Sequence, residues 1–316
     1  MNKEISLEIP GRICIVGDKV DLLGKPVIAM AINLMMRFSY KPRSDDTIEF
    51  YSYNTNERIH FTLEETPPKN IDLAYLSVLF DRLKSKIDHG FYLDVLSDIP
   101  IGGGLSTSAA LSVGFLKIMS EAFTLNLNND EIAELAYLGE NHDLGIQCGR
   151  MDQYSIAHGG ITFIHTDENP QVEQLRIKNL PIVVGDSVEV REAASVLNRI
   201  KRQIQEKDET TLKAFKEIEK CVTQCKTALL NNDYQKLGMC MEIQQQQEIL
   251  LGATTPKILK LCEAAKSAGA LGAKQMGAGG GGCMLAIAPG RQNEVVKAIE
   301  RVGGRAWIFD IYNYTS

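Results

Sequence analysis

A chain of 316 residues, 44% of them hydrophobic, is long enough to bury two cores. Its formal net charge of -6 and lack of a long basic cluster argue against nucleic acid or an anionic membrane as the main partner, Lys201 and Arg202 forming no stripe. No apolar run reaches the roughly 18 residues of a membrane span, the N-terminus with Glu4 and Glu8 does not resemble a signal peptide, and seven cysteines without a C-x-x-C pair suit a reducing compartment, so a cytoplasmic protein is expected.

In chain order, apolar runs broken by Gly, Asp, Asn and Pro predict strands at 13–16, 27–32, 36–40, 48–53 and 59–61, a sheet made largely of hairpins. Within them the segment 11–24 sets Arg12, Asp18, Lys19 and Asp21 around a buried strand end, either as a polar turn or as part of a site. Leu73, Leu76, Leu79, Phe80 and Leu83 predict a helix over 72–87, and Phe91, Leu93 and Val95 a strand. Next comes Pro100-Ile-Gly-Gly-Gly-Leu-Ser-Thr-Ser-Ala-Ala-Leu111, a glycine loop opening into a helix near Ser106. Glycines that turn backbone N–H groups toward an anion, at the positive end of a helix, make a phosphate cradle. The hydroxyls of Ser106, Thr107 and Ser108 either cap that helix or hold phosphate oxygens and a magnesium ion.

A helix is predicted over 130–142 with Asn129 as its cap, and Glu140 near its end is either solvated or held by a cation. Asp152 follows a glycine turn, as a helix cap or a catalytic group, and 161–164 is a strand. Polar, proline-bearing sequence around 167–180 marks a domain boundary, giving domains 1–180 and 181–316. The second half reads as a strand at 182–184, a helix over 191–205, two or three helices over 211–252, a helix over 256–268 and a strand at 270–275. The run Gln244 to Gln247 is expected to form only a polar helix face. Five glycines in the six positions 277–282 imply close backbone approach to another element or a ligand, before a strand at 283–287, a helix over 292–302 and a strand at 306–311.

The three glycine-bearing segments, 11–24, 100–110 and 276–283, together resemble the GHMP kinases, the superfamily of galactokinase, homoserine kinase, mevalonate kinase and phosphomevalonate kinase. The resemblance implies a two-domain α+β fold: an N-terminal mixed sheet with helices and a left-handed β-α-β unit, and a ferredoxin-like C-terminal domain. It implies ATP on Gly102, Gly103, Gly104, Leu105, Ser106, Thr107 and Ser108, with Gly279 and Gly280 closing over the phosphates, and Mg²⁺ on Ser108 and Glu140. Cys148-Gly-Arg-Met-Asp-Gln153 is similar to the galactokinase segment whose aspartate faces the anomeric hydroxyl, and Arg12 to the arginine paired with it. Asp152 and Arg12 are then the catalytic pair, and Asp18, Lys19 and Asp21 the substrate-binding residues.

Asp18, Lys19 and Leu22 depart from the Glu, His and Tyr of galactokinases, while 251–274 looks like mevalonate kinases. The resulting expectation is a sugar-1-kinase acting on a monosaccharide or, through Lys19, a uronic acid. The alternatives are a mevalonate kinase and a catalytically silent ATP- and sugar-binding sensor. A dinucleotide-binding protein is disfavoured by the hairpin-rich start. Expected partners are a small-molecule substrate and at most a second copy of the chain, neither nucleic acid nor membrane.

Overall fold

The structure is a computed structural model that describes residues 3–69, 73–190 and 192–314. The chain divides into two compact units, the first comprising Met1–Gly11, Leu34–Pro100 and Ser106–His158, the second Arg12–Asn33, Ile101–Leu105 and Gly159–Ser316. The boundary expected at 180/181 falls inside the second unit.

Strands β1 (Ile5–Val16) and β2 (Val27–Pro42) pair with each other, and both run through residues of the two units. The runs 27–32 and 36–40 are one strand, because neither glycine nor proline interrupts the sequence before Pro42. In the first unit β3 (Thr47–Ser52) and β4 (Glu57–Thr62) form an antiparallel hairpin. Then β5 (Phe91–Ser97) pairs parallel with β3 and antiparallel with β2. The strand pairings are therefore mixed.

The helices of this unit are α1 (Ala74–Leu83), α2 (Thr107–Ala122), α3 (Asn129–Leu138) and α4 (Met151–His158). Asp72, where the first helix was expected to begin, lies outside the described residues. A core of Phe50, Phe61, Phe80, Phe91 and Phe115 packs edge-on or tilted, with centroids 5.0–5.9 Å apart. Gly114 lets α2 lie directly on this core, since a Cβ there would sit 2.1 Å from the Phe38 ring.

In the second unit β6 (Ile161–His165) pairs antiparallel with residues 27–30 of β2 and with β7 (Gln171–Leu175). A separate antiparallel sheet has the order β11-β8-β10-β9, from β8 (Ile182–Asp186), β9 (Gly272–Gln275), β10 (Cys283–Ile287) and β11 (Arg305–Trp307). That order, with helices in the β8–β9 and β10–β11 connections, is the ferredoxin-like arrangement. The helices are α5 (Ala193–Gln205), α6 (Glu209–Leu230), α7 (Tyr234–Leu250), α8 (Pro256–Ser267) and α9 (Gln292–Arg301). Arg191, expected to open α5, lies outside the described residues. The apolar sides of α8 and α9, with Ile258, Leu261, Val295 and Ile299, cover Val183, Ala273, Met284 and Ala286 of the sheet. The last strand is shorter than expected, and Ile311 makes only an isolated bridge with Ile32.

Candidate active site

Within the second unit, Arg12 is only 4% exposed on β1. Its backbone N–H donates to the Leu105 carbonyl at 3.2 Å and its Nη1 to the Gly104 carbonyl at 2.8 Å. Two consecutive carbonyls of the glycine loop are thus tied to one strand residue. Gly102 and Gly104 have φ of 75° and 82°, which a side chain would resist.

Past β1, Asp18 and Lys19 are 0% and 4% exposed. Asp18 accepts from Lys274 Nζ, from the Gly277 N–H and, at 2.7 Å, from Gln244 Nε2. Burial alone would raise its pKa, but the charges of Lys274 and Lys19 and the bonds from Lys274 and Gly277 outweigh it and hold the carboxyl below its ordinary 3.8. Lys19 pairs with Glu248 at 2.6 Å and donates to the Gly277 carbonyl at 2.8 Å. Burial pushes the Glu248 pKa up against the pull of Lys19. Asp21, in the following 3-10 turn Val20–Leu23, is half-buried.

The run at 277–282 is packed on its own unit. Gly280 N–H donates to the Ala253 carbonyl at 2.8 Å, and a Cβ on Gly279 would meet that oxygen at 2.4 Å. Five of its residues have positive φ, which is what the density of glycine serves.

In the first unit, Ser106 precedes α2 with φ 65°, a left-handed conformation costing a non-glycine residue on the order of 1 kcal/mol. It makes no cap bond with its side chain; Ser106 Oγ donates instead to Asp152 Oδ2 at 2.5 Å. Thr107 Oγ1 donates to the Pro100 carbonyl at 3.1 Å, bracing the base of the loop. Asp152 stands in the first turn of α4, where the helix dipole favours its charge. That helix is fixed by Glu134 of α3, which accepts from Arg150 in a two-bond fork at 2.9 Å and from the Tyr154 hydroxyl at 2.9 Å.

The cap of α3 is Asn128, in a capping box with Glu131, rather than Asn129. The helix ends in a π turn, Gly139–Asp143, a widening that recurs at functional sites. It turns Glu140 inward, 6% exposed, so the carboxylate is not solvated. Glu140 Oε1 accepts from Ser108 Oγ at 3.2 Å and Oε2 from Gln153 Nε2 at 2.8 Å. The Tyr75 hydroxyl bonds to Ser108, and burial first, then the Glu140 charge, pushes the Tyr75 pKa up to about 12.

The oxygens of Ser108 and Glu140 are hard donors of the kind Mg²⁺ takes, sparsely and with waters and phosphates completing the shell. Gln153 Oε1 is buried without a hydrogen-bond partner beside them, an acceptor suited to water on a hydrated cation. Among the described residues no group of three or more His, Cys, Asp or Glu is placed to hold a metal.

Residues 73–160 match the GHMP kinases N terminal domain and residues 225–305 the GHMP kinases C terminal domain. The chain is 30% identical to a mevalonate kinase of Pyrococcus abyssi over 98% of its own length and 96% of the relative's. The chain belongs to the GHMP kinase family. GHMP kinases are phosphotransferases that act on hydroxyl groups with ATP as the phosphate donor. A second GHMP relative, D-glycero-alpha-D-manno-heptose 7-phosphate kinase of Campylobacter jejuni, is 29% identical over 88% of this chain and 86% of its own. The GHMP fold is also that of Lactococcus lactis galactokinase complexed with galactose, with a TM-score of 0.84 at 22% identity, covering 98% and 94% of the two chains. Among the described residues no helix is long and apolar enough to cross a membrane.

The structure brings Ser106 to Asp152 and Ser108 to Glu140, and it ties Arg12 to the glycine loop. Sequence reasoning missed Gln153 as the brace of Glu140, although it follows Asp152 directly. It also missed Lys274 and Glu248 as the partners of Asp18 and Lys19. The expectation for Gln244 to Gln247 needs correction: Gln244 and Gln245 are 0% and 3% exposed and bond to Gly17, Asp18 and Gln275, so α7 presents half of that run to the interior.

Proposed function

We propose that this GHMP kinase transfers the γ-phosphoryl group of ATP to a hydroxyl of a monosaccharide, most specifically the anomeric one, in the cytoplasm. The observation that carries the reading is Asp152, set at a helix N-terminus and oriented by Ser106 within a Cys-Gly-Arg-Met-Asp-Gln segment. In this reading Asp152 accepts the proton of the attacking hydroxyl. An anomeric hydroxyl is more acidic than an ordinary alcohol, so a carboxylate is a sufficient base. Arg12 balances negative charge, and the backbone of 102–108 with Gly279 and Gly280 cradles the triphosphate. Ser108 and Glu140 hold Mg²⁺, with Gln153 and Tyr75 fixing their orientation. When bound, the ion neutralises phosphate charge. Asp21, from the first motif, contacts the acceptor. The acidic-sugar variant of this reading loses its support, because Lys19 is committed to Glu248.

A second reading, mevalonate as the acceptor, is favoured by the near full-length similarity to the Pyrococcus abyssi enzyme. An ADP-release assay over neutral monosaccharides, heptose phosphates, uronic acids and mevalonate, with NMR of the product, separates the two. A sugar 1-phosphate is expected. Turnover of mevalonate alone would establish the second reading.

A further inference from the structure

Consecutive side chains of an extended strand diverge to opposite faces. The chain after β1 departs from that rule at Gly17 and Lys19, with φ of 99° and 70°. As a result Asp18 and Lys19 converge on one residue and grip the two peptide units that flank it: the Gly277 N–H donates to Asp18 Oδ1, and Lys19 Nζ donates to the Gly277 carbonyl at 2.8 Å. Gly277 opens the run at 277–282, whose conformational freedom needs an anchor if it is to present a fixed shape to phosphate.

Each half of this grip is itself held. Lys274 and Gln244 bond to the other oxygen of Asp18, Glu248 pairs with Lys19, and Gln244 also accepts from the Gly17 N–H at 3.0 Å. The two acids and two lysines balance in charge and are all buried. Neither Asp18 nor Lys19 can turn to a substrate without leaving a buried partner uncompensated, which is costly.

We infer that Asp18 and Lys19 are positioning residues for the second glycine loop and do not touch the acceptor. The inference rests on the proposed kinase function and assigns these residues to the nucleotide side of it. With Arg12 on the loop at 101–105, the segment 12–19 then sets both glycine loops from one strand end.

The test compares two double variants that both remove the buried charge pair, Asp18→Asn/Lys274→Met and Asp18→Leu/Lys274→Met. They differ in whether position 18 offers an oxygen to the Gly277 N–H. MgATP affinity is read by calorimetry without acceptor, and the acceptor KM and acceptor preference by steady-state assay. The Leu variant is expected to bind MgATP about 10-fold more weakly or worse, a loss rescued by the Asn variant, with acceptor KM and preference unchanged in both. Equal MgATP affinity in the two variants, or a rise in acceptor KM alone, overturns the inference. Should the Leu variant not fold, Lys19→Met/Glu248→Gln, which removes the donor to the Gly277 carbonyl, is compared with wild type in the same assays: the same MgATP loss with acceptor KM unchanged is expected, and wild-type MgATP affinity or a rise in acceptor KM alone overturns the inference. Because affinity is read without turnover, a wild-type protein that binds MgATP but phosphorylates no acceptor in the panel refutes the proposed function separately.

Discussion

Ser106 shows how a single residue can be held in an unfavourable conformation for the sake of its side chain. Its left-handed backbone forgoes a cap bond to α2, and its hydroxyl fixes Asp152. Ser106→Gly relieves the backbone and deletes only the hydroxyl, whereas Ser106→Ala deletes the hydroxyl and keeps the strain. Both variants should lose turnover by roughly 10-fold or more, as expected for a hydrogen bond to a charged group. Thermal melting should place the Gly variant above the Ala variant, and equal kcat to wild type in both would remove Ser106 from the mechanism. Glu140→Gln puts a neutral amide in place of the carboxylate beside the Ser108 hydroxyl. Its expected phenotype is a Mg²⁺ requirement shifted upward by about tenfold with ATP saturating, measured as a titration of activity against the free ion.

At the scale of elements, α7 and β9 carry a polar interior that periodicity could not reveal. A run of glutamines reads as a solvated face, yet Gln244, Gln245 and Glu248 point at β9 and the first motif, because Asp18, Lys19 and Lys274 must be compensated there. Lys274→Met leaves the Asp18 charge buried without its main partner and should cost about 3–5 kcal/mol at neutral pH. The Asp18 pKa is depressed in the folded protein. Its stabilising contribution is therefore complete above the unfolded value of 3.8 and fades as pH falls through the folded value. In Lys274→Met the buried carboxyl favours its protonated form, so the stability gap between variant and wild type should narrow as pH falls, beginning at the variant's raised pKa and continuing until the wild-type carboxyl protonates below 3.8. Denaturant unfolding across pH checks this, and a gap that widens toward acid would contradict the assignment. Gly114, by contrast, is an ordinary packing constraint. Gly114→Ala should cost about 1–3 kcal/mol through the Phe38 ring while leaving the KM values unchanged.

Across the whole molecule, the order of strands and helices was largely legible, because apolar periods of two and of three to four residues alternate with glycine-bearing loops. The glycine loops and Glu140 carried the expectation of phosphate chemistry. What stayed hidden depended on pairings distant in sequence: Asp18 with Lys274, Lys19 with Glu248, and the braces Gln153 and Tyr75 on Glu140 and Ser108. No local pattern distinguishes a lysine aimed at substrate from one neutralised by an acid more than 200 positions later. The division into compact units was hidden for a similar reason, since each is assembled from three separated stretches of chain.

The role proposed for Asp152 is phosphoryl transfer to a sugar hydroxyl. Its most direct test follows transfer of labelled γ-phosphate from ATP to a panel of monosaccharides and mevalonate, by wild type and by Asp152→Asn. The wild type is expected to make a sugar 1-phosphate, and Asp152→Asn to lose turnover by about 100-fold or more while retaining MgATP affinity. Turnover of mevalonate alone, or wild-type turnover in Asp152→Asn, would contradict it.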